Sequence, residues 1–251
     1  MTANVPHKQL VGSSVLSGRL DPKVWGRLPV RNMLIGVDGM MLLSGYGNNA
    51  IAPGSSLVTA GALSNDSTGH VLTSGASADD VAALASPSEV KLGGNRFALQ
   101  CSIDLVTDSA ANDDCAIFLG FVPPEGKADP LQDLANNDVG LLIDSTADIG
   151  GSFGLLKKSS AATLHFSSIA DDASASQVDS ASLGTLSTTA VSIKMVADGR
   201  GKIKVSFDGG ADVEFDYPAV EKGHLILAVK NEGTDASALG LGPRIAFGVA
   251  E

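Results

Sequence analysis

Three consecutive runs near the C-terminal end alternate with period two, and this constrains the fold more than any other feature of the chain. Val191, Ile193 and Met195 alternate with Ser192 and Lys194; Ile203, Val205 and Phe207 with Lys202, Lys204 and Ser206; Val213, Phe215 and Tyr217 with Glu214 and Asp216. Successive side chains of a strand point to opposite faces, so each run reads as a strand with one buried and one solvated face. Between them, Asp198-Gly199-Arg200-Gly201 and Asp208-Gly209-Gly210 supply the positive φ angles that tight hairpins require. The three runs form an antiparallel meander.

Further strand signals surround it. Residues 225–230 and 244–250 follow, the latter with Ile245, Phe247 and Val249 on one face. Upstream, Phe97, Leu99, Cys101, Ile103 and Leu105 face away from Ala98, Gln100, Ser102 and Asp104, and 115–122, after the turn-rich 107–114, reads as a hairpin partner. Residues 139–143, 153–156 and 164–166 add short runs, and 78–85 reads as a pair of short helical turns. No apolar pattern of period 3.6 lasts a dozen residues. Many strands, 29 glycines and no crossover helices point to an all-β fold, an antiparallel β-sandwich over 89–251. Its expected inward residues are Phe97, Leu99, Ile103, Phe118, Val205, Phe207, Phe215, Leu227 and Phe247. Residues 170–190 are small and polar and read as a surface loop.

The first 88 residues differ in kind. Residues 32–88 hold one short hairpin around Asp38-Gly39 and otherwise Gly, Pro and Ser punctuation, which suits a loop-rich β-extension. Residues 1–31 carry Lys8, Arg19, Lys23, Arg27 and Arg31 against Asp21 alone, a charge of +4, which leaves −15 on the remainder of a chain whose net charge is −11. A basic extended arm thus precedes an acidic body. The body repels phosphate backbones, so no nucleic-acid partner is expected. The arm has too little apolar mass to fold unaided, yet it holds Trp25 with Val24, Leu28, Arg19, Arg27 and Arg31. Trp and Arg are residues that interface hot spots favour, so these six are assigned to docking on another chain.

Several functions fall away. The uncharged stretch 39–65 is broken by Gly45, Gly47, Pro53 and Gly54, so no membrane span is expected. The first eight residues lack a basic run followed by an apolar segment, so no secretory signal is expected either. Two cysteines make no disulfide framework; Cys101 and Cys115 read as free thiols, and assembly in a reducing compartment follows. There is no Gly-x-Ser-x-Gly elbow and no P-loop, and His7, His70, His165 and His224 have no metal-ligand spacing. His165 lies between Leu164 and Phe166 and so faces solvent. Only Asp212, Glu214 and Asp216 have the spacing of paired carboxylates on one strand face, and they alternate with Val213, Phe215 and Tyr217, which places them in water. No enzymatic activity, metal or cofactor is expected. Asp108, Asp113 and Asp114, with Asn112, are the oxygen ligands a calcium ion would find in 107–114, although turns also prefer these residues.

The runs 97–105, 116–122, 139–144 and 191–210, in that order, resemble the strand series of concanavalin-like (laminin-G-like) jelly rolls. They are similar in particular to the virion proteins of tailed bacteriophages that carry this module. The resemblance implies a structural protein, a capsid decoration or cement protein that binds the major capsid protein or another shell protein and neighbouring copies of itself. It further implies a homo-oligomer located in the virion and assembled in the host cytoplasm. Phe207 fills the aromatic position before the Asp-Gly turn, but the tryptophans that form the sugar platform of lectin relatives are absent. The alternatives are a lectin-like carbohydrate-binding module on a phage tail or cell surface, and a glycoside hydrolase.

Overall fold

The computed structural model describes residues 32–35, 61–65, 70–77, 81–85, 90–106, 115–123, 151–158, 161–170, 178–231, 233 and 236–250. Their regular elements are strands. In chain order these are β1 (Asn32–Ile35), β2 (Gly61–Asn65), β3 (His70–Ser74), β4 (Val81–Ala85), β5 (Val90–Lys91) and β6 (Arg96–Leu105). Then come β7 (Cys115–Val122), β8 (Phe153–Lys157), β9 (Thr163–Ser168), β10 (Val178–Asp179) and β11 (Gly184–Thr185). The last are β12 (Val191–Ala197), β13 (Lys202–Phe207), β14 (Val213–Asp216), β15 (Lys222–Asn231) and β16 (Ala238–Ala250).

Two antiparallel sheets result. The first runs β14-β13-β12-β6-β16-β3-β2, with β1 also paired to β16; the second runs β10-β9-β8-β7-β15-β4, with β11 on β9 and β5 on β15. The meander is β12-β13-β14, turned at Gly199 (φ 78°) and Gly201 (φ 96°) and again at Asp208 (φ 49°) and Gly209 (φ 72°). Of the strands from the segment before residue 89, β1, β2 and β3 belong to the first sheet and β4 to the second.

The sandwich closes on aromatic rings. Phe97 in the first sheet meets Phe121 and Phe153 in the second, with centroids 5.0 and 6.1 Å away, and Tyr217 lies 5.9 Å from Phe97 and 4.9 Å from Phe153. Each such ring, fully buried, is worth about 1.5–3 kcal/mol of transfer free energy. Leu99, Ile103, Val205 and Leu227 are buried as expected, while Phe207 and Phe215 are half-buried and pack against the core's margin. The side chain of Phe247 is outside the described set.

Four expectations are corrected. β6 and β7 are not a hairpin: β6 lies between β12 and β16, and β7 between β15 and β8, in opposite sheets. All eight β7 residues are buried, as in a central strand covered on both faces, so no alternation reveals its partner. Phe118 accordingly points away from Phe121 and from the first sheet, its ring over Gly120 and Gly154. Residues 81–85 form a strand on β15, with Ala83 opposite Ala228 and Leu84 opposite Leu227, because tertiary pairing overrides alanine's helix preference. Within 170–190, β10 and β11 line the edge of β9. The run 139–143 lies outside the described residues.

Candidate functional site

Alternation along β9 sends Leu164 and Phe166 into the core and Thr163, His165 and Ser167 to the opposite face. β10 and β11 then run along the edge of β9 and bring Asp179 and Ser180 beside that row. Thr163 Oγ1 lies 3.0 Å from His165 Nε2, and His165 Nδ1 lies 2.9 Å from the Ser180 carbonyl oxygen. A carbonyl only accepts, so Nδ1 carries the proton and donates it; in the neutral ring Nε2 then accepts from the Thr163 hydroxyl. Ser167 Oγ donates to Asp179 Oδ1 at 2.6 Å, and the second carboxylate oxygen pairs with Lys158. Ser180 Oγ accepts from the Phe166 N–H at 3.0 Å.

The result is a row of polar side chains about 6–7 Å apart along one strand, each held in one orientation. Thr163 and His165 offer fixed donors and acceptors from half-buried positions, whereas Ser167 is fully buried. The row is not a nucleophile relay, because Asp179 is engaged by Ser167 and Lys158 while the imidazole is oriented by a main-chain carbonyl. His165 occupies the face the alternation assigns to it, but it is half-buried rather than free in solvent. Its partner Ser180 is fifteen residues away in a stretch without apolar periodicity, so only the fold brings the two together.

The acidic row of the meander is different. Asp212, Glu214 and Asp216 face water, and each is matched by a lysine: Lys194–Asp212 at 3.0 Å, Lys204–Glu214 at 3.8 Å and Lys202–Asp216 at 2.6 Å. The Asp216 hydrogen bond is the main cause raising the Lys202 ammonium above its usual range. Two lysine and carboxylate columns side by side make a charge-balanced, solvated face. Val213, assigned to the interior by its parity, is 45% exposed because among the described residues β14 is the last strand of its sheet. At the turn below, burial acts to raise the Asp198 carboxyl, but N–H bonds from Arg200 and Lys202 and the Arg200 charge outweigh it and hold it below the usual range.

The residues expected to dock, Arg19, Val24, Trp25, Arg27, Leu28 and Arg31, and the candidate calcium ligands Asp108, Asp113 and Asp114, lie outside the described residues. Among the described residues, no three His, Cys, Asp or Glu side chains are grouped to hold a metal ion, and no helix is long and apolar enough to cross a membrane. Cys101 and Cys115 are buried free thiols, and burial pushes the Cys101 thiol up to about 12. Asn231, Ser237 and Ser74 form a buried polar knot where the strands end, bonded to main-chain groups of 74–77 and 233–237, which makes it structural.

No protein-family model and no curated protein sequence matches the chain. Solved structures match its shape. The lectin UEA-II complexed with galactose superposes with a TM-score of 0.53 at 9% identity, covering 88% of this chain and 100% of that one. Peanut lectin with a nine-residue peptide gives 0.51 at 13% identity, covering 80% and 95%. The Emp47p carbohydrate recognition domain gives 0.50 at 14%, covering 76% and 87%. The fold is a concanavalin-like antiparallel β-sandwich. At these identities the likeness carries the arrangement of strands and none of the residues on them.

Proposed function

We propose that the chain is a non-catalytic binding module of lectin type whose ligand is a glycan bound along the outward row of β9. The observation that carries this reading is the ordered set Thr163, His165, Asp179 and Lys158, with the buried Ser167 hydroxyl holding the Asp179 carboxylate in place. Glycans are recognised through many hydroxyl groups, each of which needs a donor or acceptor already in place, since ordering a loose side chain on binding costs about 0.5–1.5 kcal/mol. The sandwich supplies a rigid support for the row. The structures similar to it include a lectin with galactose and a carbohydrate recognition domain, which supports the choice of glycan over other polar ligands.

The test is a glycan array followed by titration calorimetry on any glycan retained. His165→Phe and Thr163→Val should each weaken binding about tenfold, roughly 1.4 kcal/mol, with melting temperature unchanged. An array with no retained glycan, or affinity indifferent to both substitutions, would overturn the reading.

A second reading, which rests on the sequence resemblance alone, is a decoration protein on a viral shell with the virion as its location. Among the described residues the exposed large hydrophobics are Val106, Val178 and Val213. On this reading the partners are a shell protein and neighbouring copies. Its test is co-sedimentation with purified particles: retention after removal of all glycans supports it, and loss on glycan removal excludes it.

A further inference from the structure

We propose that Asp208–Gly209 is a site of spontaneous isoaspartate formation, and that the isomerised turn is a substrate for enzymes that methylate isoaspartyl carboxyl groups. This rests on the turns of the first sheet and is independent of the glycan reading.

Both turns of the meander present the same dipeptide, Asp198–Gly199 between β12 and β13 and Asp208–Gly209 between β13 and β14. Asp-Gly is the labile pair because glycine has no side chain to hinder its main-chain nitrogen from attacking the preceding side-chain carboxyl. Attack needs a carboxyl that can take up a proton, an N–H not held elsewhere, and room for the backbone to rotate. The two turns differ on every count.

At Asp198–Gly199 all three are blocked. Asp198 Oδ1 accepts N–H bonds from Arg200 at 2.6 Å and Lys202 at 3.1 Å, which keep the carboxyl ionised. The Gly199 N–H donates to the Tyr217 phenol oxygen. A Cβ on Gly199 would lie 2.7 Å from the Asn95 carbonyl carbon, so the turn is wedged against neighbouring main chain. Reaction there must wait for local unfolding.

At Asp208–Gly209 none is. Asp208 is exposed, and neither its carboxylate nor the Gly209 N–H has a hydrogen-bond or ion-pair partner among the described residues. A Cβ on Gly209 would meet nothing within 4 Å. Asp208 already holds φ at 49°, a left-handed conformation that costs an L-residue energy. Rotation must break the bonds from the Gly210 N–H to the Phe207 carbonyl at 2.9 Å and from the Ser206 hydroxyl to the Gly210 carbonyl at 3.0 Å. The strands on either side stay paired.

The chemistry closes with water alone. The Gly209 nitrogen attacks Asp208 Cγ; a C–N bond forms, and the carboxyl hydroxyl leaves as water with the proton from nitrogen, giving a succinimide ring. Water then adds to one ring carbonyl. Addition at Cγ restores aspartate, whereas addition at the α-carbonyl breaks its bond to nitrogen and leaves the chain running through Cγ beside a free α-carboxylate. Mass and charge return to their starting values, and the turn gains one main-chain methylene.

The experiment uses the full chain, aged for weeks at mildly acidic pH either folded or in urea, then digested with trypsin. Peptides 195–200 and 205–222 are incubated with an isoaspartate-specific carboxyl methyltransferase and labelled methyl donor. From the folded chain, 205–222 should carry at least about tenfold more label than 195–200, placed at position 208 by fragmentation; from urea the two should agree within about threefold. Equal label on the two peptides from the folded chain, an excess on 195–200, or label on 205–222 only after unfolding overturns the proposal.

Discussion

Gly120 and Gly154 stand opposite each other on β7 and β8 with the Phe118 ring above them, and Gly120→Ala tests this part of the sandwich most sharply. A Cβ at position 120 would lie 2.3 Å from the Phe153 carbonyl oxygen, 2.6 Å from the Gly154 Cα and 2.6 Å from Phe118 Cζ. The ring can swing aside, but the first two atoms are main chain of the neighbouring strand. They must retreat by about 1 Å to reach ordinary contact distance, which pulls on the ladder beside the Phe121–Phe153 ring pair. Overpacking of this kind costs about 1–3 kcal/mol, and a main-chain obstacle puts it at the upper end. The unfolded chain loses freedom when glycine becomes alanine, which returns about 0.4–1 kcal/mol. The net is about 2 kcal/mol of destabilisation, a fall in Tm of roughly 4–8 °C for a chain of this size. Calorimetry and urea unfolding with an unchanged m-value are the assays. A variant that melts at or above the parent temperature would refute the close approach of β7 and β8.

Phe97→Ala empties the centre of the ring cluster and should cost about 3–5 kcal/mol in urea unfolding, against a total of about 5–15. Neither cysteine of the native protein should react with a thiol reagent at pH 8, and both should react in denaturant, because Cys101 and Cys115 are buried and burial pushes Cys101 up to about 12. Asp198 is held below its usual range in the folded state, so its contribution to stability is present above the unfolded value of 3.8 and is lost as pH falls through the lower folded value. Asp198→Asn should therefore flatten the acid limb of stability below pH 3.8, with carboxyl NMR titration as the check.

Legibility in the sequence followed the physics of each strand. The meander was readable because β12 and β13 keep one dry and one wet face and are joined by a turn whose positive φ angles fall on Gly199 and Gly201. β7 was recognisable as a strand but not assignable to a sheet, since a strand buried on both faces has no alternation to orient it. The same ambiguity sent Phe118 to the wrong face. Val213 follows the parity of Phe215, but an edge position leaves it uncovered, and edge position is a property of the whole sheet. β4 was lost to the helix preference of alanine. The orientation of His165 was legible from its neighbours, while its hydrogen bond to Ser180 depends on β10 and β11 folding along β9, and nothing local encodes that return.

The account's central claim is that the outward row of β9 is a binding surface. Amide chemical-shift mapping with a glycan selected from an array tests it most directly. The predicted result is a contiguous set of shifted amides at 163–168 and 179–183 with Lys158, and little change along β12 to β14. Shifts confined to the charge-balanced face of the meander, or none at saturating glycan, would contradict it.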